Sequence, residues 1–358
     1  MREDTLSIRC PLRAVALATP KAAALLSPRG VTSYEELDSM VSAAALRLGD
    51  LRPESRVALY LPKDERYVAL VLALIRAGHV ACPLSDRLPP RGVAQLLERA
   101  ACSAVISEDE EPLQTVDADL RMPGLEALLE DSLQRTIPTS IPLERPATII
   151  FTSGSTGVPK ATFHTFGNHY YNALGSSANI PLRPGHRWLH SLPLYHVGGL
   201  SILFRCLLAG AAVALPEPEA PLAEAIAGLC ATHVSLVSTQ LSRLLREGRD
   251  LDGLEAVLLG GGPIPSSLVD EALARGLPVH TSYGLTEMAS QVTTTPPGAS
   301  LEELRTAGRV LPNREVSISE RGEILVRGET LFAGYVEGEE LDRPLDAGGW
   351  FHTGDLGE

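Results

Sequence analysis

Thr-Ser-Gly-Ser-Thr-Gly-Val-Pro-Lys, residues Thr152–Lys160, follows the apolar run Ala147–Phe151, which predicts a buried strand. The stretch combines glycines, hydroxyl side chains and one terminal cation. Glycine lets the backbone turn tightly and bring its N–H groups close to an anion, while hydroxyl and ammonium groups donate further hydrogen bonds. A polyphosphate is therefore the expected ligand, and the residues predicted to hold it are Thr152, Ser153, Gly154, Ser155, Thr156, Gly157 and Lys160.

Two alternatives exist for this loop. A flexible Gly/Ser linker is the first, but a linker requires neither a preceding strand nor a terminal lysine. The second is the nucleotide-binding pattern G-x-x-x-x-G-K-[ST]. Gly154 and Gly157 are too close together for that pattern, and Ala161 follows the lysine. An ordinary P-loop phosphotransferase is therefore disfavoured.

The composition indicates a large, acidic, globular chain. Its 358 residues are 44% hydrophobic, which is enough for a large core and more than one subdomain. The net charge of −13 argues against non-specific binding to nucleic acid or to an anionic membrane. No apolar run approaches the roughly 20 residues of a membrane span, and the N-terminus has early acids instead of an apolar signal core. The predicted location is the cytoplasm, with reduced, mostly buried thiols at Cys10, Cys82, Cys102, Cys206 and Cys230.

Strands and helices alternate along most of the chain, which predicts parallel βαβ units. The predicted strands are Arg56–Leu61, His79–Pro83, Ser103–Ser107, Ala147–Phe151, Arg187–Leu192, Ala211–Leu215, His233–Val237, Leu254–Leu259 and Val279–Ser282. The predicted helices include Val31–Leu48, Lys63–Ala77, Pro90–Ala100, His164–Leu174 and Leu200–Leu208. The segment Glu108–Pro146 is acidic and then rich in Pro, Thr and Ser, which indicates a surface helix and loop.

The pattern changes after about residue 300. Glu315–Ser319 and Glu323–Arg327 alternate in polarity around Arg321-Gly322, which predicts a hairpin. The predicted fold is therefore α/β, with two packed βα subdomains and mostly parallel sheets in residues 1–300. A small β-rich subdomain is predicted for residues 301–358.

Four motifs follow predicted strands, and ligands in open α/β sheets bind beyond the carboxyl ends of strands. They are the Thr152–Lys160 loop, His196, Gly260–Gly262 and Tyr283–Glu287. Bare glycine backbone accommodates a planar group, although the same glycines suit a tight strand-to-helix turn. Mg²⁺ prefers hard carboxylate ligands, and Glu287 could be one, although a lone Glu is usually a solvated surface residue. Their shared placement predicts one composite site.

These motifs resemble those of the adenylate-forming enzymes, which include acyl-CoA synthetases, luciferases and peptide-synthetase adenylation domains. The resemblance extends from about residue 30 to the end of the chain. It implies an adenine site at Gly260, Gly261, Gly262, Tyr283 and Gly284, phosphate contacts from Thr286, and a Mg²⁺ ligand at Glu287. It also implies that Asp355, in Thr353-Gly-Asp-Leu, holds the ribose. A core tyrosine and a turn aspartate are the plain alternatives for Tyr283 and Asp355.

Within this family, Leu192–Phe204, Leu258–Pro265 and Ser282–Val292 resemble the ligases that act on o-succinylbenzoate, an aromatic dicarboxylate of menaquinone biosynthesis. The implied acid-binding residues are His196, Gly199, Ser290 and Gln291. His196 is expected to orient the carboxylate, because a carboxylate needs no deprotonation near neutral pH. The predicted catalytic residues are Lys160, His196, Thr286 and Glu287, while His79, Arg205 and His280 receive no role.

The resemblance implies a two-step reaction that uses ATP, Mg²⁺ and coenzyme A. A carboxylic acid first forms an acyl-adenylate, and the CoA thiol then displaces AMP. The family also carries a C-terminal lid with a catalytic lysine after the Thr-Gly-Asp motif. The 358 residues alone are therefore expected to fold and to bind ATP or an acyl-adenylate, but to form little thioester. A CoA ligase for another acid and a non-catalytic nucleotide-binding module stay open as alternatives, and so does a homo-oligomer.

Overall fold

The computed structural model describes residues 6–108, 129, 140–152, 159–249 and 251–358. The elements of the first part are β1 (Ser7–Arg9), α1 (Pro11–Ala18), β2 (Ala23–Ser27), β3 (Gly30–Ser33), α2 (Tyr34–Leu48), β4 (Arg56–Tyr60), α3 (Glu65–Ala77), β5 (Val80–Pro83), α4 (Pro90–Arg99), β6 (Ala104–Ser107), β7 (Ser140–Pro142), β8 (Pro146–Thr152), β9 (Lys160–Thr165) and α5 (Phe166–Asn179). Most of the predicted segment Glu108–Pro146 and residues 153–158 of the loop lie outside the described residues.

The second part returns to strand–helix alternation and ends in short strands. Its elements are β10 (Arg187–Leu189), α6 (Val197–Ala209), β11 (Ala212–Ala214), α7 (Leu222–Gly228), β12 (His233–Leu236), α8 (Ser238–Glu247), β13 (Ala256–Leu259), α9 (Ser266–Ala274), β14 (Val279–Leu285), β15 (Ser290–Thr294), α10 (Leu301–Leu304), β16 (Arg309–Val310), β17 (Arg314–Ile318), β18 (Glu323–Gly328), β19 (Gly334–Glu337), β20 (Glu340–Asp342) and β21 (Phe351–Leu356).

A nine-stranded sheet and a seven-stranded sheet form the body of the protein. The first has the strand order β16-β15-β14-β13-β12-β10-β11-β2-β3, and the second has the order β20-β19-β9-β8-β5-β4-β6. Parallel pairs join β14 through β11 to β2 in the first sheet and β8 through β5 and β4 to β6 in the second. One apolar cluster, drawn from both sheets and from α2, α3, α5 and α6, packs them together. The predicted α/β class with two packed βα subdomains is confirmed.

The predicted helix His164–Leu174 begins too early. Lys160–Thr165 is strand β9, which pairs antiparallel with β8, and the helix α5 starts at Phe166. Thr165 caps this helix: its hydroxyl accepts from the N–H of Asn168, and the Asn168 side chain accepts from the Thr165 N–H. Pairing with β8 outweighs the helical spacing of the apolar residues, because it satisfies the backbone groups of the buried strand.

The C-terminal residues divide between sheets. The hairpin predicted at Glu315–Ser319 and Glu323–Arg327 is confirmed as the antiparallel pair β17–β18, which β21 extends to three strands. β19 and β20 instead continue the seven-stranded sheet, since β19 pairs with β9. β16 pairs with β15 at the edge of the nine-stranded sheet. The division at residue 300 stays a prediction.

Local sequence signals set the ends of the helices that pack between the sheets. Ser33 and Glu36 form a capping box at the start of α2, as the sequence Thr32-Ser-Tyr-Glu-Glu-Leu indicates. Asp64 caps α3, and Gly78 ends it with a φ of 90°. In the parts of the chain that the structure describes, no helix is both long and apolar enough to span a membrane. Four of the five cysteines are buried free thiols, and Cys230 is exposed.

A buried ion cluster fixes α1 and α3 to α2. Asp38 accepts from Arg76 at 2.7 Å through one oxygen and pairs with Arg13 through the other. Asp38 and Arg76 are 2% and 5% exposed, respectively. Arg76 also donates to Ser42 and contacts the sulfur of Cys10. One carboxylate therefore pairs with two cations at the junction of three helices.

Three buried histidines lie together at the amino ends of β10, β12 and β14. The rings of His186 and His233 are 4.9 Å apart, and burial lowers the pKa of His186, His233 and His280. For His233, burial and the neighbouring histidines lower the pKa to about 4. The folded protein therefore rejects protons that the unfolded chain accepts below its pKa of about 6.5.

We expect the free energy of unfolding to fall as the pH drops from 6.5 to 4, and part of this slope to disappear in His233→Gln. The slope should decrease by up to about 1.4 kcal/mol per pH unit, which corresponds to one proton. Urea unfolding of both proteins at several pH values measures the difference. Identical slopes would show that His233 takes up its proton equally in both states.

Candidate active site

The predicted site motifs lie around two neighbouring openings, the small cavity and the large cleft. The small cavity lies between the ends of β13 and β14, strand β15 and the start of α6, and has a volume of about 450 Å³. The large cleft lies between β8, β9, β19 and β21 and has a volume of about 1070 Å³. Leu285 lines both openings. They can therefore hold two parts of one reacting complex.

The small cavity brings together predicted residues that are far apart in sequence. These are His196, Gly260, Gly261, Gly284, Thr286, Ser290 and Gln291. Much of the remaining wall is apolar and includes Leu192, Val197, Leu236, Val237 and Leu258. A concave, mostly apolar space with a few polar groups is typical of a small-molecule site. Its size suits an acid with one ring.

Arg205 lies in the wall of the small cavity, although the sequence analysis gave it no role. The side chain is 1% exposed, donates to the Ser290 hydroxyl at 3.3 Å, and has its guanidinium carbon 5.1 Å from the Trp188 ring centre. Among the described residues its Nε has no partner, and no ion pair joins it to a carboxylate. Burial lowers the pKa of Arg205 to about 10, so it stays protonated at neutral pH.

An unpaired buried cation is costly unless a ligand supplies the missing anion. The sequence does contain one sign that Arg205 is unusual. It is the single charged residue of helix α6, Val-Gly-Gly-Leu-Ser-Ile-Leu-Phe-Arg-Cys-Leu-Leu-Ala. That signal suggests an unusual environment for the side chain. It does not reveal that the environment is a cavity.

The backbone beside Arg205 has an uncommon conformation. Ala289 and Ser290 have φ angles of 54° and 132°, both in the region that side chains disfavour. Gly284 is required opposite them, because a Cβ there would collide with the Ser290 carbonyl oxygen. The buried guanidinium of Arg314 donates to the carbonyl of Gln291. Burial and the like charge of Arg205 lower the pKa of Arg314 to about 9.

His196 lies at the start of α6 and faces the small cavity. Its ring centre is 4.7 Å from that of Tyr195. Desolvation lowers the pKa of His196, so the imidazole is mainly neutral at pH 7. A neutral imidazole can donate one hydrogen bond to a carboxylate, which agrees with the predicted orienting role.

The large cleft contains the described ends of the phosphate loop and the predicted metal ligand. Thr152, Lys160, Glu287 and Asp355 line it, together with Tyr335. Glu287 Oε1 accepts from the Tyr335 hydroxyl at 2.5 Å, and Lys160 Nζ lies 4.6 Å from the centre of the Tyr335 ring. Burial, followed by the charge of Glu287, raises the pKa of Tyr335, so its hydroxyl remains a donor.

Thr286 and Glu287 lie at the junction of the two openings. Thr286 lines the small cavity, and Glu287 lines the large cleft. His164, on strand β9, bonds to the Thr286 carbonyl at 2.7 Å, which requires a proton on Nε2. Burial lowers the pKa of His164 to about 4, so the neutral tautomer is maintained. This support for Thr286 was also missed by the sequence analysis.

Three predicted residues lie outside the described linings of both openings: Gly199, Gly262 and Tyr283. The Tyr283 hydroxyl donates to Asp355 Oδ2 at 2.7 Å, which joins the predicted adenine and ribose residues. Gly199 allows close packing, because a Cβ there would collide with the Pro193 carbonyl. Ser153, Gly154, Ser155, Thr156 and Gly157 lie outside the described residues, so their phosphate roles stay predictions.

The described residues fit a Mg²⁺ ion held mainly by nucleotide phosphates. They contain no group of three or more His, Cys, Asp or Glu side chains that could hold a metal by themselves. Glu287 offers one carboxylate in a solvent-accessible polar cleft, and its Oε2 makes no hydrogen bond within the described residues. Mg²⁺ commonly uses one or two carboxylates together with substrate phosphates and water.

The fold and the paired openings define the class of adenylate-forming enzymes. A family model described as AMP-binding enzyme matches residues 12–336, and the chain belongs to this family. The 2-succinylbenzoate–CoA ligase of Bacillus pumilus (strain SAFR-032) is 34% identical over 361 residues, which cover 96% of this chain and 74% of that relative. The family resemblance seen in the motifs is confirmed.

Solved structures agree with this relationship. The o-succinylbenzoate CoA synthetase of Bacillus subtilis in complex with the acyl-adenylate intermediate OSB-AMP has a TM-score of 0.88 and 30% identity, covering 98% of this chain and 76% of that chain. The same synthetase in complex with ATP and magnesium ion has a TM-score of 0.87 and 29% identity, covering 98% and 77%, respectively.

Proposed function

We propose that this protein is an ATP-dependent acid–CoA ligase that activates 2-succinylbenzoate through an acyl-adenylate. The supporting observation is the position of Arg205, a buried cation without a carboxylate partner among the described residues, in the wall of the small cavity. A dicarboxylate can place one carboxylate on Arg205 and present the other near Thr286. The names of the similar ligases supply the particular acid.

The first step joins the acid to the nucleotide. A carboxylate oxygen attacks the α-phosphorus of ATP, a P–O bond forms, and the bond to pyrophosphate breaks. Lys160 offsets the negative charge that repels the attacking carboxylate, and Thr286 donates to a phosphate oxygen. Glu287 would hold a Mg²⁺ ion, which would supply further charge neutralisation on the phosphates. His196 orients the attacking carboxylate in the small cavity.

The second step transfers the acyl group to coenzyme A. The thiol sulfur attacks the acyl carbon and a thioester bond forms, while the bond from the acyl carbon to the phosphate oxygen breaks. AMP leaves with that oxygen, and the thiol proton passes to solvent. The glycines Gly260 and Gly261 bring bare backbone to the side of the small cavity, where the adenine of the intermediate can lie. Tyr283 and Asp355, which hydrogen-bond to each other, are proposed to hold the adenine and ribose.

Four buried free cysteines support a cytoplasmic location for the protein.

A panel of acids tests the substrate. Acid-dependent release of pyrophosphate should be most efficient with 2-succinylbenzoate, compared with benzoate and a medium-chain fatty acid. More efficient use of either simple acid would favour a CoA ligase for another substrate. If the protein binds ATP but no acid of the panel causes release of pyrophosphate, a nucleotide-binding module would be favoured.

Glu287→Gln is expected to raise the Mg²⁺ concentration needed for half-maximal activity by about tenfold or more. The substitution preserves the shape of the side chain but removes the charge that a hard cation prefers. Pyrophosphate release measured over a range of Mg²⁺ concentrations at fixed ATP gives the shift, with Glu340→Gln on the rim of the same cleft as control. An unchanged Mg²⁺ dependence would exclude Glu287 as the ligand.

A further inference from the structure

Tyr335 contacts two residues of the proposed catalytic machinery at the same time. Its hydroxyl donates to Glu287 Oε1 at 2.5 Å, and its ring lies beneath the ammonium of Lys160, 4.6 Å from Nζ to the ring centre. Tyr335 was not singled out by the sequence analysis. It lies in β19, almost 50 residues after Glu287 and more than 170 after Lys160.

The surrounding structure fixes the tyrosine in this position. Its backbone lies opposite Thr162 of β9, close to Lys160 at the start of that strand. Its ring packs edge-on against Phe332 at 4.8 Å and Phe351 at 6.4 Å. The N–H of Phe332 also donates to the Glu287 carbonyl at 2.7 Å. Both the tyrosine ring and the backbone of Glu287 are therefore held by the segment around Phe332.

Lys160 and Glu287 carry opposite charges and line the same cleft. A direct ion pair between them would be favoured by their charges, yet it would occupy the lysine needed for phosphates and the carboxylate needed for a metal. No such pair occurs in the described structure. Each residue instead contacts a different part of Tyr335: the carboxylate contacts the hydroxyl, and the ammonium contacts the ring face.

We propose that Tyr335 is a positioning residue that separates Lys160 from Glu287 and keeps both available to the metal–nucleotide complex. The hydroxyl occupies one carboxylate oxygen of Glu287 and leaves Oε2 for the cation. The ring holds the ammonium above the cleft through a weak contact that phosphate oxygens readily replace. This inference rests on the proposed function, because it requires ATP and Mg²⁺ as ligands of the cleft.

Tyr335→Phe separates the two contacts, because it removes the hydroxyl and retains the ring. Calorimetric titration with ATP in Mg²⁺ and with ATP in EDTA gives two dissociation constants for each protein. We expect Tyr335→Phe to weaken binding of Mg²⁺–ATP by about tenfold, the value of a hydrogen bond to a charged group. Binding of metal-free ATP should change less than twofold. Tyr60→Phe, which removes another tyrosine hydroxyl, one that donates to the Asp86 and Leu88 carbonyls, is the matched control.

Two double-mutant cycles identify the groups through which Tyr335 acts. In a Glu287→Gln background, Tyr335→Phe should have no further effect on binding of Mg²⁺–ATP. Tyr335→Leu removes the ring as well, so it should also weaken binding of metal-free ATP, and this additional loss should disappear in a Lys160→Ala background. Circular dichroism of each variant verifies the fold, and Tyr335→Phe retains the test if the leucine variant does not fold.

The outcomes separate this inference from the proposed function. Equal effects of Tyr335→Phe on both forms of ATP, or additive effects with Glu287→Gln, would overturn the positioning role. A wild-type protein that binds ATP but fails to release pyrophosphate with every acid tested would overturn the ligase function. The tyrosine cycles would still be interpretable in that case. Absence of ATP binding in the wild type would overturn both.

Discussion

Arg205→Met is expected to lower kcat/KM for 2-succinylbenzoate by about 100- to 1000-fold. The expected loss corresponds to removing one member of a desolvated charge pair, which costs about 3 to 4 kcal/mol. Arg205 is 1% exposed and has no carboxylate partner among the described residues, so the second carboxylate of the substrate would become a buried, unpaired anion in the variant.

The discriminating substrate is 4-oxo-4-phenylbutanoate, which lacks the ring carboxylate of 2-succinylbenzoate. Its kcat/KM should change little in Arg205→Met, because it brings no second anion to the cavity. Arg205→Lys should recover part of the activity with the dicarboxylate, since it retains the charge but loses the forked geometry. Arg183→Met, at a surface ion pair with Glu255, controls for the loss of an arginine. Equal losses with both acids would show that Arg205 stabilises the fold and does not recognise the second carboxylate.

Asp38→Ala is expected to lower the free energy of unfolding by about 3 to 5 kcal/mol. The substitution leaves the guanidinium of Arg76 buried without its counter-charge. Removing one partner of a buried ion pair typically costs this amount. It also releases Arg13 from the same carboxylate, so the first helix loses its ionic contact with α2. The destabilisation should greatly exceed that of removing a surface charge.

Urea unfolding followed by circular dichroism measures this effect. Glu35→Ala is the matched control, because Glu35 also lies in α2 and also forms an ion pair, with Lys21 at 2.6 Å. Both side chains of this pair are exposed. Its expected cost is small, because an exposed ion pair gains little in water. A loss below about 1 kcal/mol in Asp38→Ala would mean that water or a neighbouring acceptor compensates Arg76. The dissociation constant for ATP under native conditions should remain unchanged.

The fold class was predictable because the interior parallel strands are short apolar segments between helices with clear end signals. Ser33, Asp64 and Gly78 mark helix ends through local chemistry alone, and the structure has the helix ends at those residues. The antiparallel additions were not predictable in the same way. β19 pairs with the distant strand β9, whereas β9 and β15 each turn back on the strand just before them. The alternation of Lys160–Thr165 also overlaps with the start of a helical pattern.

Much of the site was predictable from sequence for a related reason. Motifs that directly follow strands, such as Gly260–Gly261 and Thr286–Glu287, are placed by the topology of the sheet, so local sequence suffices to bring them together. Arg205, His164 and Tyr335 act from the middle of a helix or strand. Their importance depends on which side of that element faces a cavity, and this depends on long-range packing. No local pattern separates such residues from ordinary core positions.

The pairing of β9 with β19 also affects how the chain can fold during synthesis. β9 ends at Thr165, while its partner begins at Gly334. At about 5 to 20 residues per second, a ribosome needs roughly 8 to 35 s to make the intervening segment of about 170 residues. During this interval one edge of the emerging sheet has unpaired backbone groups, which can pair with other chains. Fragments that stop before Gly334 keep this edge open permanently, so truncation experiments should retain β19 to obtain monomeric material.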